Sequence, residues 1–222
     1  SLLLGGAGLA IAAALALPSQ ARAQAFNAGF EFVRGDGTVN RQVANTDTIT
    51  ITTSTAVLDW TPFEDESGNA LTFLPNGRTS FFQDGPGQGG FAVLNRILPS
   101  TNGDVAVFNG TVISRLQAAD GTLSNGGTVA FYSPTGILVG NSAVFDVGQL
   151  LLTTLDPDLD SFESFAAGGV LQLAGPAGTT SAVDIRSGAQ ITATGENSFF
   201  SAVAPQVIMR GDAYINGSTA YV

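Results

Sequence analysis

The chain has 222 residues, 28 of them Gly, with 8 basic and 18 acidic side chains and a formal net charge of −10. So acidic a surface repels phosphate backbones and anionic lipid headgroups, which argues against nucleic acid and membrane surfaces as partners. Every basic residue is Arg, and the lack of Cys and His excludes a disulfide framework, the usual zinc, copper and haem ligands, and any imidazole base for a nucleophile, leaving only carboxylate chemistry open to an enzyme.

Residues 2–17 consist only of Leu, Ile, Ala and Gly. A membrane span needs about 20 apolar residues; this run is shorter and is diluted by Gly5, Gly6 and Gly8, so it reads as a secretory leader and not as an anchor. Pro18 ends it. Ala21-Arg22-Ala23 then supplies a small-x-small cleavage pattern, with the cut expected before Gln24. Ala23-Gln24-Ala25 offers a second frame two residues on. With neither an initiator Met nor a basic segment ahead of the apolar run, the start of the chain is expected upstream. Residues 1–23 are therefore read as a signal peptide truncated at its start, and 24–222 as one exported domain with a single core. Loss of Arg22 with the leader brings that domain to −11.

Beyond the leader, no stretch shows a sustained helical period. Thr48-Ile49-Thr50-Ile51-Thr52, residues 127–132 and residues 143–147 alternate with period two, as half-buried strands do. Turn formers separate such segments: Gly35-Asp36-Gly37, Ser67-Gly68-Asn69, Pro75-Asn76-Gly77, Asn102-Gly103, Asn109-Gly110, Asn125-Gly126-Gly127, Ser187-Gly188 and Asn216-Gly217. Short strands with Gly-rich corners imply an all-β domain, with sandwich, barrel and solenoid as candidates.

The C-terminal third bears on that choice. Val183, Arg186, Ala189 and Ile191 recur as Val207, Arg210, Ala213 and Ile215, an offset of 24. Ala143 and Phe145 map on Ala189 and Ile191 at 46, near two such periods. A period in the low twenties suits one coil of a parallel β-helix and favours the solenoid by a narrow margin. Residues 214–222 stop in mid-pattern without a polar cap, so further coils are expected beyond Val222.

The order of segments from Gly35 onward resembles the haemagglutination-activity domain, the N-terminal secretion domain of two-partner-secretion exoproteins of the filamentous haemagglutinin type. Residues 56–63, ending in Trp60-Thr61-Pro62-Phe63, are similar to the family's Trp-x-x-Phe strand. Leu71-Thr72-Phe73 falls where the next short strand lies, Leu94-Asn95-Arg96 matches a Leu-Asn-Arg segment, and Asn109-Gly110-Thr111-Val112 a following coil. Residues 127–140, ending in Gly140, and the Leu-rich strand 147–154 match the segment around the family's Asn-Pro-Asn-Gly-Ile motif. That motif reads Ser133-Pro134-Thr135-Gly136-Ile137 here. As a turn it is preserved, since Pro134 pre-sets φ, Gly136 can take a positive φ and the Ser133 hydroxyl can bond the backbone; a role needing the Asn amides is lost. The second family motif, Asn-Pro-Asn-Leu, has no counterpart, and Gly85-Pro86-Gly87-Gln88 lies near its place.

The resemblance implies a right-handed parallel β-helix with an N-terminal cap. It further implies a secretion role: the domain crosses the inner membrane, is recognised by the periplasmic domains of an outer-membrane β-barrel transporter, and leads the exoprotein to the cell surface or medium of a Gram-negative bacterium. On that reading it is no enzyme, binds no cofactor or metal and works as a monomer. The turn at residues 133–137 is then the candidate recognition motif, while Trp60, Phe63, Asn95, Arg96 and Gly140 are structural.

Chemistry elsewhere competes with plainer readings. Asp156-Pro157-Asp158-Leu159-Asp160 with Glu163 resembles a calcium loop or a lyase or hydrolase carboxylate cluster, but lacks the Gly and Glu of a calcium loop and reads as a solvated acidic loop. Glu64-Asp65-Glu66 reads as a hairpin tip between Trp60 and Phe73. Arg96 is expected to fix a corner or the cap through a carboxylate, and Trp60 to pack in the core. Phe81-Phe82 and Phe199-Phe200 place successive rings on opposite strand faces; the outer ring of each pair could serve an adhesin-type domain that binds host or glycan surfaces directly.

Overall fold

The computed structural model describes residues 24–175 and 180–222. Ala21 and Ala23 of the expected cleavage pattern lie outside them. The chain opens with two strands, β1 (Ala28–Arg34) and β2 (Gly37–Asn40). The first coil follows as β3 (Thr46–Ile51) and β4 (Thr55–Pro62). β2 lies antiparallel to β3 and β1 antiparallel to β4, so both cover the open edge of the first coil. An unpaired edge of that kind would otherwise template association with another chain. This is the expected cap.

From there the chain winds. β5 (Thr79–Asp84), β6 (Ala92–Ile97) and β7 (Ala106–Phe108) make one coil, and β8 (Thr111–Gln117), β9 (Leu123–Asn125), β10 (Thr128–Tyr132) and β11 (Ile137–Val139) the next. β9 is a local addition, folded back antiparallel on β8. β12 (Val144–Asp146) and β13 (Gln149–Thr153) lead into an excursion containing β14 (Asp156–Pro157), α1 (Leu159–Ala166) and β15 (Leu173–Ala174). The chain returns through β16 (Ala182–Ile185), the long β17 (Gln190–Val203), β18 (Gln206–Met209) and β19 (Asp212–Tyr221).

Three faces result, each built of parallel strands. On the first, β3, β5, β8, β12 and the starts of β17 and β19 stack in that order. On the second, β4, β6, β10, β13 and the ends of β17 and β19 stack likewise. The third carries β7, β11, β16 and β18, preceded by a bridge from Leu74 to Phe108. This is a parallel β-helix. The expected solenoid and its cap are both present.

Alternation drives each strand. In β3 the buried residues are Asp47, Ile49 and Ile51, while the Thr residues between them face out. Inside the coils, Phe26, Trp60, Phe73, Phe82, Phe108, Phe131 and Phe145 are fully buried or nearly so. Their rings touch edge to face or stacked, as in Phe26–Phe73 at 4.6 Å, Phe26–Trp60 at 4.7 Å and Phe108–Phe131 at 4.9 Å. Each such pair contributes about 0.5–1.5 kcal/mol beyond its area burial.

The repeat was read in part correctly. Val183 stacks on Val207 and Ile185 on Met209, so the offset of 24 holds on the third face. On the first face Ile191 stacks on Ala213, not on Ile215, an offset of 22. The corner before β17 spans residues 186–189 and that before β19 only 210–211, and the two missing residues make the difference. Phe145 does stack on Ile191 at an offset of 46, yet this is one coil and not two. The excursion between β13 and β16 lengthens it.

Two further expectations change. The run at residues 156–160 is not simply a solvated acidic loop, because it starts a helix. Asp158 is the N-cap of α1, its Oδ1 accepting from the Ser161 N–H at 2.7 Å, an arrangement worth about 1 kcal/mol. Phe162 is buried and packs with Leu159 and Phe165 on the outer side of the second face, against Val57, Leu94, Ala130 and Leu151. Asn216-Gly217, expected as a corner, lies within β19, where the strand passes from the first face to the second beside an irregularity in β17.

Candidate functional site

The turn at residues 133–137 lies on the corner where the second face passes into the third. Three connections stack there: residues 63–73, residues 98–105, and the turn itself. Hydrogen bonds join them into a ladder. The Glu64 carboxylate accepts from the Thr101 N–H at 2.5 Å and the Thr101 hydroxyl at 2.7 Å. Asn102 Nδ2 donates to Asn69 Oδ1 at 3.0 Å. Asp104 Oδ2 accepts from the Ala70 N–H at 2.7 Å and the Ser100 hydroxyl at 2.9 Å. At the bottom, Asp65 takes the amides of Ser67 and Asn69 on one oxygen, each at 2.9 Å. Those bonds, the Asn69 backbone first and its side chain second, hold the Asp65 carboxyl below the usual aspartate range. Glu64-Asp65-Glu66 is thus a hairpin tip, as expected, but two of its three carboxylates are structural.

The turn closes as its sequence requires. Gly136 N–H donates to Ser133 O at 3.2 Å, and Ser133 N–H donates to Thr153 O of the next coil at 3.1 Å. Gly136 has φ +123°, and a Cβ there would meet Ala182 O and Val105 Cγ2, each at 3.3 Å. The Thr135 hydroxyl donates to Asp104 O at 2.7 Å, so in its 3.2 Å contact with Ser133 Oγ it is the acceptor. Ser133 therefore bonds the Thr135 side chain and not the backbone as expected. Two hydroxyls in series hold the turn to the coil before it.

Ser133, Gly136 and Ile137 are buried, which leaves Pro134 and Thr135 for a partner to touch. Phe63, Leu71 and Val105 lie along the same corner with 41%, 43% and 44% of their surface exposed. A row of apolar side chains between fixed polar rungs is a surface suited to protein contact. Phe63 accordingly lies at the surface and not in the core.

The other motif residues are internal supports. Trp60 and Asn95 are fully buried, and Trp60 Nε1 donates to Asn95 Oδ1 at 3.0 Å. Asn95 Nδ2 donates onward to Ala130 O at 3.1 Å. Arg96 grips Asp59 with two bonds, Nε to Oδ1 at 2.6 Å and Nη2 to Oδ2 at 2.7 Å. The Asp59 bonds, partly offset by burial, push the Arg96 guanidinium still higher. This pair lies across β4 and β6 on the second face, so Arg96 ties two coils together and neither a corner nor the cap. Burial raises the nearby Tyr132 phenol, and Asp156 adds to the effect while Arg96 opposes it. Gly140 packs where a Cβ would fall 1.8 Å from Asn109 Oδ1, so the Asn109 side chain of the preceding coil requires Gly there.

The acidic residues of the excursion are dispersed. Asp158 caps α1, while Asp160 and Glu163 pair with Arg34 of β1 at 2.6 and 3.3 Å. Among the described residues, no three carboxylates come together as a metal site would need. A groove of about 480 Å³ lies at the corner between the first and second faces, beside Phe91, Gly127, Gln149 and Glu196. Glu196 is the single carboxylate among the described residues lining it, whereas glycoside cleavage by the usual route needs a pair. The outer rings of the Phe pairs are half covered: Phe81 is partly buried, and Phe199 packs on Phe165 at 5.7 Å. The arm that covers Phe199 was not expected. Its signal was the Asp158 cap followed by Leu159, Phe162 and Phe165 at three-residue spacing, a pattern too short to stand out as a helical period.

No family model matches the sequence, and no curated protein matches it. Among solved structures, the chain is similar to the HMW1 secretion domain from Haemophilus influenzae, with a TM-score of 0.56 and 15% identity over 82% of this chain. The match covers 44% of that structure's length. At this identity the likeness is one of fold alone.

Proposed function

We propose that this chain is the secretion domain of an exported surface protein, recognised in the periplasm by a partner outer-membrane β-barrel transporter. The observation that carries this reading is the polar ladder on the corner between the second and third faces. It fixes Pro134 and Thr135 in one geometry beside the exposed Phe63, Leu71 and Val105, and it does so on a capped β-helix whose fold matches a secretion domain. A preorganised corner loses little conformational freedom on binding, which favours recognition by a partner.

Export itself is the test. The chain is co-expressed with its transporter, and its distribution between periplasm and medium is measured. Appearance in the medium that depends on the transporter supports the reading. Retention in the periplasm beside a functional transporter overturns it. Pro134→Ala and Thr135→Ala, which alter the exposed part of the turn, should lower the exported fraction while the folded domain persists.

A further inference from the structure

The second and third faces are finished differently on the outside. On the third, alternation turns Val107 of β7, Leu138 of β11, Asp184 of β16 and Ile208 of β18 outward, and the register stacks them in one row. On the second, the outward side chains of Leu94, Ala130 and Leu151 lie under Phe162 of the arm. Among the described residues, no such cluster forms over the row on the third face, and Val107, Leu138 and Ile208 all stay partly exposed.

Beside this apolar row the acidic character of the surface is reversed. Asp184 takes two guanidiniums: Arg210 Nη2 donates to Oδ1 at 2.5 Å, and Arg186 Nε lies 2.9 Å from Oδ2. The Asp184 side chain is only 15% exposed, whereas those of Arg186 and Arg210 are 51% and 45% exposed. Every other ion-paired Arg among the described residues has at least one carboxylate to itself, as Arg96 has Asp59 and Arg115 has Asp146. Here one carboxylate serves two cations, which leaves an excess of positive charge on an otherwise acidic domain. Two grooves meet over the face. One, of about 470 Å³, runs beside Pro134, Thr135 and Ala182. The other, of about 500 Å³, runs beside Asn141, Arg186 and Arg210, and Leu138 lines both.

We propose that the outside of the third face is a docking surface for an extended acidic segment of the transporter, which sets an apolar side chain on Leu138 and a carboxylate between Arg186 and Arg210. This rests on recognition of the neighbouring corner by a transporter, and it names the chemistry that the transporter brings. Gly140, which stands in line with Arg186, lies two residues past Leu138, so the two anchors are about 7 Å apart, one period of an extended strand. A segment with its carboxylate two residues from an apolar side chain reaches both. A guanidinium carries five N–H donors, so neither Arg is exhausted by Asp184, and paired carboxylate contacts of this kind are among the stronger hydrogen bonds. The acidic remainder of the surface repels the same segment, so the Arg pair fixes its position and direction.

Affinity for the detergent-solubilised transporter, measured at low and at high salt, tests this. Arg186→Gln combined with Arg210→Gln should weaken binding by about tenfold or more and flatten its dependence on salt. Both Arg side chains are about half exposed, and ion pairs of that kind contribute little to stability, so the double variant should keep its melting temperature. Asp184→Asn separates docking from a structural role. It releases both guanidiniums to the partner and should tighten binding, whereas a merely structural cluster would bind no better without its carboxylate. Unchanged affinity in the double variant overturns docking on this face, as does weaker binding by Asp184→Asn at an unchanged melting temperature. Should Asp184→Asn melt lower, the double variant alone decides. Either negative result leaves recognition at the corner standing as long as export still requires the transporter. Export without the transporter, or a wild-type domain that does not bind it, overturns both. Equal binding of the wild-type domain to anionic lipid vesicles would give the Arg pair to headgroup phosphates and likewise overturns a protein partner.

Discussion

Trp60 and Asn95 are hydrogen-bonded inside the β-helix, Nε1 to Oδ1 at 3.0 Å, with neither side chain reaching solvent. The bond crosses from β4 to β6 and continues through Asn95 Nδ2 to Ala130 O in β10, so one amide ties three coils of the second face. Buried polar groups are costly when orphaned and nearly neutral when both partners are removed. Asn95→Ala should therefore destabilise the domain by about 2–4 kcal/mol, from the lost acceptor and the cavity together. Trp60→Phe combined with Asn95→Leu should cost less than the two single changes added. Denaturant unfolding of the four proteins, followed by circular dichroism, measures the difference. Additive costs would show that the bond carries no coupling.

Gly136 and Pro134 should respond differently to Ala, although both belong to one turn. Gly136 has φ +123° and its missing Cβ faces Ala182 O and Val105. A side chain there costs about 1–3 kcal/mol in backbone strain. Pro134→Ala mainly restores freedom to the unfolded chain, about 0.4–1 kcal/mol. If the corner is read by a transporter, Pro134→Ala should lower export out of proportion to its small effect on melting. Export that follows melting temperature alone in both variants would assign the turn to folding only.

The legibility of the fold in the sequence varied with what each residue had to satisfy. Val183 and Val207 stack on each other inside the third face, so both positions demand a similar side chain and their spacing was visible. Ala213 stacks on Ile191 because the corner before β19 is two residues shorter, and corner lengths leave no periodic trace. The arm around α1 was hidden for a related reason. A helix of eight residues packed on the outside of a solenoid needs only Leu159, Phe162 and Phe165 to be apolar, and three residues do not make a period. The candidate site was half legible. Pro134 and Gly136 are forced by turn geometry, whereas the ladder through Glu64, Thr101, Asp104 and Thr135 joins residues scattered over more than seventy positions.

The arm itself gives a third prediction. Arg34 bridges Asp160 and Glu163 across the surface, and all three side chains are substantially exposed. Exposed pairs contribute about 0–1 kcal/mol and weaken with salt. Arg34→Ala should therefore leave the melting temperature almost unchanged. Phe162→Ala removes the arm's fully buried ring and should cost about 3–5 kcal/mol of its docking on the second face. Limited proteolysis should then cut within residues 159–175 while the coils stay intact. Protection of that segment in Phe162→Ala would show that the arm is held by other contacts.

Acid should loosen the hairpin tip before it reaches the core. The Asp65 carboxyl is held below its ordinary value by bonds from Asn69 and Ser67, so the folded tip binds a proton less readily than the unfolded chain. A group of this sign contributes stability above its unfolded value, and that stability is lost as pH falls through the folded one. The window therefore opens below about pH 4. In it, the amides of Ser67 and Asn69, which both donate to Asp65 Oδ1, should lose protection while strand amides of β6 and β10 keep theirs. Asp65→Ala should show the loosened tip at neutral pH and no further change of that tip on acidification. Amide exchange followed by NMR across the titration separates the two. Simultaneous loss of protection in the tip and in β6 would mean that the acid effect lies elsewhere in the fold.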